Sequence, residues 1–117
     1  MPKNTEFLTF VLDQLKDLGP VTARNMFGGT GLYLGGTIFA LIAYDTLYLK
    51  VDDVNRPDFE KAGMPPFQPF EDKPYVMSYY EVPVDVLEDS VQLIQWAGGS
   101  VEASLRAPSR RIGKNNK

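Results

Sequence analysis

Arg24, Tyr33, Tyr48, Lys50 and Tyr80 have the chemistry of a contact surface rather than of a reactive centre. A guanidinium near tyrosine rings can stack on them and pair with a carboxylate, and both residue types are frequent at the energetic centres of protein interfaces. The competing structural reading makes Tyr33 and Tyr80 cross-strand core partners and pairs Arg24 with an acid such as Asp52. A third reading is enzymatic, with Tyr80 and Glu81 moving protons. A phenol with an unperturbed pKa near ~10 needs tuning that nothing in the sequence supplies. The chain has neither cysteine nor histidine, so thiol nucleophiles, the usual zinc ligands and the commonest proton carrier near neutral pH are all missing. Asp52 and Asp53 are two adjacent carboxylates without further spaced oxygen ligands, which is too little for a hard cation. No catalytic residue, metal or cofactor is expected.

Between Arg24 and Tyr33 runs Arg-Asn-Met-Phe-Gly-Gly-Thr-Gly-Leu-Tyr, with Gly28, Gly29 and Gly31 lying between segments that read as strands. Glycines this close can cradle phosphate, but the flanks argue otherwise. A P-loop needs Gly-x-x-x-x-Gly-Lys-Ser/Thr and a dinucleotide site needs Gly-x-Gly-x-x-Gly, each opening a helix. Here the third glycine of the second motif is missing and the alternation that follows is that of strands. Gly28, Gly29 and Gly31 are therefore read as structural, marking a sharp corner or bulge in a sheet.

The elements that must position these residues follow from periodicity. Asn4 or Thr5 caps a helix running to Leu18, with Phe7, Val11, Leu15 and Leu18 on one stripe, and Gly19-Pro20 ends it. Residues 21–51 read as a meander of about four strands, with turns at the glycine cluster, at Gly35-Gly36 and at Tyr44-Asp45-Thr46. Leu47, Leu49 and Val51 alternate with Tyr48, Lys50 and Asp52, which turns Tyr48 and Lys50 outward together. A short helix begins at Asn55, takes Pro57 in its first turn and stops at Gly63. Four prolines in 64–74 predict an extended segment anchored by Phe67 and Phe70, and 73–82 predicts a strand with Tyr75, Met77 and Tyr79 on one face. A helical turn near Val84 precedes a last helix whose stripe of Val91, Ile94, Ala97, Val101 and Leu105 should face the core, kinked at Gly98-Gly99. The fold class predicted is α+β: an antiparallel sheet of about five strands covered by helices in two layers.

At 117 residues and 44% hydrophobic composition the chain suits one core, placed at 1–105. The net charge of −3 hides an asymmetry: residues 1–105 hold 7 basic and 15 acidic side chains, whereas 106–117 add Arg106, Arg110, Arg111, Lys114 and Lys117 with no acid. An acidic body repels phosphate backbones, so weak, salt-sensitive nucleic-acid contact is confined to this basic tail, which is expected to be disordered. Without an apolar run of ~20 residues, and with a poor signal peptide at the start, a cytoplasmic protein that avoids membranes is expected. A second copy can pair with an uncovered edge strand unless the prolines guard it.

Taken in order, several short matches resemble the TfoX/Sxy family in the form of its amino-terminal domain alone. They are Arg24-x-Met26-Phe27-Gly28-Gly29-x-Gly31-x-Tyr33, Phe39-Ala40-Leu41-Ile42, Leu47-Tyr48-Leu49-Lys50-Val51-Asp52, Arg56-Pro57-x-Phe59 with Ala62-Gly63, Pro66-Phe67, Met77-Ser78-Tyr79-Tyr80, and Leu93 with Trp96-Ala97. The resemblance implies helices covering an antiparallel sheet. It also implies a role in regulating competence genes through a protein partner, in the transcription machinery or the cyclic-AMP receptor protein. The family's well-known members carry a second, helical domain, whereas here only the basic tail follows the last helix.

Overall fold

Alternating apolar and polar residues in 21–50 build four strands joined by tight turns, and a fifth strand joins them after a helical excursion. The computed structural model describes residues 5–26, 29–67 and 78–107. The strands β1 (Val21–Met26), β2 (Gly29–Leu34), β3 (Thr37–Ala43), β4 (Thr46–Lys50) and β5 (Tyr79–Glu81) lie side by side in that order, and every neighbouring pair is antiparallel. Helix α1 (Thr5–Gln14) precedes β1, α2 (Arg56–Lys61) lies between β4 and β5, and α3 (Val84–Leu87) and α4 (Ser90–Arg106) follow β5. The expected α+β arrangement is the one found.

Two hairpins turn on two-residue loops with φ > 0 at both positions. Gly35 and Gly36 supply this without cost between β2 and β3, at φ 60° and 82°. Tyr44 and Asp45 supply it between β3 and β4 at φ 54° and 55°, against the steric preference of residues that carry a Cβ. The sheet's register irregularity falls at Leu32/Tyr33, where Ile38 and Ala40 take successive partners and Phe39 is extra. This bulge lies beyond the glycine cluster. Gly29 instead permits a close approach, because a Cβ there would lie 2.4 Å from the Ile42 carbonyl oxygen.

Helix α1 ends its regular turns at Gln14 rather than Leu18. Shorter-range bonds take over, with the Leu18 amide donating to the Leu15 carbonyl at 2.9 Å and Lys16 to Asp13 at 3.3 Å. Helix α2 begins after Asn55, whose side chain makes no cap bond. Its carboxamide donates to the Lys50 carbonyl at 3.0 Å and accepts from the Asp52 amide at 2.8 Å, tying the end of β4 to the helix. Pro65 and Pro66 guard one sheet edge: the Pro65 carbonyl accepts from the Glu81 amide at 3.1 Å, Pro66 bridges to Tyr80, and the Phe67 amide donates to the Tyr79 carbonyl at 2.7 Å. Phe27, Gly28, Phe70, Tyr75 and Met77 lie outside the described residues.

Helix α4 departs most from expectation. It runs unbroken through Gly98-Gly99 for 17 residues, and Asp89 caps it by accepting from the Val91 and Gln92 amides. Its buried positions are Leu93, Ala97, Ser100 and Ala103, while Val91 and Leu105 of the predicted core stripe stand exposed. The rotation has a packing cause. Small residues let the helix axis approach the sheet closely, and the Ser104 hydroxyl donates to the Ile38 carbonyl at the bulge, at 2.6 Å. The main core between helices and sheet contains Leu32, Phe39, Ile42, Leu47, Leu49 and Phe59, each side chain worth roughly 1.5–3 kcal/mol on burial.

Candidate interaction face

A strand's side chains alternate between faces, so the register fixes what each side of the sheet presents. Thr30, Leu32, Ala40, Ile42, Leu47, Leu49 and Tyr80 stand in paired positions on one side, where most of them join the core beneath the helices. The opposite side carries an unbroken row of pairs across all five strands: Arg24 to Gly31, Gly31 to Leu41, Leu41 to Tyr48, and Tyr48 to Glu81. A neighbouring row pairs Thr22 with Tyr33 and Tyr33 with Ile38, and across the sheet Lys50 pairs with Tyr79.

Four of the five side chains singled out from the sequence therefore share one surface. Arg24 is exposed and places its guanidinium carbon 5.9 Å from the centre of the Tyr33 ring. On the same face, toward the β5 edge, the Lys50 ammonium lies 5.3 Å from the Tyr79 ring centre. Between these two cation–aromatic contacts is a small second core in which the buried Leu41, Phe67 and Tyr79 pack together, with half-buried Ile38, Ala43 and Tyr48 beside them. The Tyr48 and Phe67 rings meet at 4.6 Å, tilted by 48°. Partial burial, and then the Glu81 carboxylate, push the Tyr48 hydroxyl above its ordinary pKa, so it stays a neutral donor and acceptor at physiological pH.

Tyr80 is not part of that surface. It packs on the core side with Phe59, ring centres 5.8 Å apart, and Phe59 in turn meets Trp96 edge-on at 4.8 Å. Tyr33 and Tyr80 are not cross-strand partners, because β3 and β4 separate their strands. Arg24 does not pair with Asp52. Both carboxylate oxygens of Asp52 are held by Arg106, whose Nε donates at 2.8 Å and whose terminal nitrogen donates at 3.0 Å. That fork holds the Asp52 carboxyl down at about 2, and Arg106, grouped by sequence with the basic tail, is instead the last residue of α4. Arg110, Arg111, Lys114 and Lys117 lie outside the described residues. Among the described residues no group of three acidic side chains forms a metal cluster.

One family description matches most of the chain. The model of the TfoX N-terminal domain matches residues 13–104, from the end of α1 to the last turn of α4. The chain belongs to this family. No curated protein matches it. Within this TfoX N-terminal domain, the sequence reading overlooked Phe67, Tyr79 and Glu81 as members of the face. The proline-rich run concealed how Phe67 returns onto the sheet. Tyr44, 80% exposed at the tip of the β3–β4 hairpin, was also missed, although a bulky residue in a two-residue loop that demands φ > 0 was a readable signal.

Proposed function

We propose that this TfoX N-terminal domain is a non-enzymatic regulatory module that binds a protein partner through the sheet face turned away from its helices. The observation that carries this reading is the gathering of Arg24, Tyr33, Tyr48 and Lys50, from strands β1, β2 and β4, onto that one face. An exposed guanidinium and a half-buried ammonium beside half-buried tyrosines suit a partner that offers carboxylates and apolar side chains. The family resemblance supplies transcription regulation as the setting, with the transcription machinery or the cyclic-AMP receptor protein as partner, in the cytoplasm. An enzymatic reading through Tyr80 and Glu81 loses its geometry, because consecutive strand residues point to opposite faces.

Affinity capture from the producing cells tests the proposal. Wild-type domain should retain a discrete transcription-related protein, and Arg24→Ala combined with Lys50→Ala should release it while the circular dichroism spectrum stays unchanged. Retention that is indifferent to both substitutions, or no specific retention, overturns it.

A further inference from the structure

We propose that the outer stripe of α4 pairs with the same stripe of a second copy of this chain, as an antiparallel helix pair crossing at Gly98. The stripe consists of Val91, Ile94, Gly98, Val101 and Leu105, at successive steps of three, four, three and four residues, the spacing of a helix–helix seam. Its end members are left in solvent by the domain itself: Val91 is 66% exposed and Leu105 67%, with Ile94 and Val101 half-buried along the inner margin. The seam is about 21 Å long at 1.5 Å per residue.

Gly98 supplies the second observation. Glycine weakens a helix interior, yet nothing lies within 4 Å of where its Cβ would be, so packing inside the domain does not account for it. At the middle of an apolar seam, a missing side chain is a hole into which another helix can fit closely. The occupant that fits is the seam itself. Val91 and Leu105 both stand seven residues from Gly98, so an antiparallel twofold centred there lays each on the other, with Ile94 beside Val101. Antiparallel pairing opposes the two helix dipoles, while the charged side chains at the ends of α4 are satisfied within each copy, Asp89 by the Val91 and Gln92 amides and Arg106 by Asp52.

This surface lies across the domain from the sheet face and leaves it open. Sedimentation velocity on the full chain over a range of concentrations provides the test. The wild type should sediment as a dimer at tens of micromolar, and Val91→Glu with Leu105→Glu should be monomeric with an unchanged helical spectrum, since both positions are solvent-exposed in the single domain. Gly98→Ala should weaken association roughly tenfold by filling the hole. Gly99→Ala, which adds the same methyl to open space one residue round the helix, should leave association unchanged. A wild-type chain that stays monomeric throughout overturns the proposal, as does a dimer indifferent to Gly98→Ala and to the double glutamate substitution.

Discussion

Tyr44 occupies a left-handed conformation at φ 54° while exposing 80% of its surface, so its backbone carries strain that side-chain packing among the described residues does little to offset. An asparagine tolerates that region because its short amide bonds locally. Tyr44→Asn should therefore stabilise the isolated domain by about 1 kcal/mol, raising the thermal midpoint by roughly 4 °C in a calorimetric scan. An unchanged or lowered midpoint would show that the tyrosine is held by contacts worth more than the strain. Gly29 shows the opposite economy, because only the absence of a Cβ lets β2 approach the Ile42 carbonyl. The sequence exposed the need for glycine in this region but not its form. It pointed to a corner or bulge: the chain does reverse between Met26 and Gly29, but the bulge sits at Leu32/Tyr33 and Gly29 serves close interstrand contact.

Period-two patterning made the meander of β1 to β4 legible, because tight turns leave little freedom in how successive strands pair. It also put Tyr48 and Lys50 on the outward face, and the register agrees. Helix α4 was not legible to the same degree. Its most apolar stripe is not its buried one, since Ala97, Ser100 and Ala103 let the axis settle on the sheet where larger residues would hold it away. The final turn is fastened instead by the Arg106–Asp52 fork, a contact across 54 residues that local pattern cannot announce. Asp52 is held at about 2, below its ordinary 3.8, so its ionised form favours the folded state. That contribution is complete above the ordinary value and disappears as the pH falls through about 2. Acid titration followed by circular dichroism should show Asp52→Asn less stable than wild type at neutral pH, with the difference narrowing between these two values. A difference that stays constant with pH would contradict this role.

At the scale of the molecule, the sheet has two unlike sides. The helices, with Phe59, Tyr80 and Trp96 clasped between α2, β5 and α4, cover one and give the domain its core. The other gathers Arg24, Tyr33, Tyr48 and Lys50 around Leu41 and Phe67. Residue types alone did not separate Tyr80 from the other four, because its side of the sheet depends on the register of a strand only three residues long. Photo-crosslinking in living cells tests the central claim most directly, with a photoreactive phenylalanine analogue placed at position 33 or 48 and, as a control, at the exposed Glu60 of α2. One discrete protein adduct from positions 33 and 48, absent from position 60, is the predicted result. No adduct from the sheet face, or the same adducts from all three positions, would contradict it.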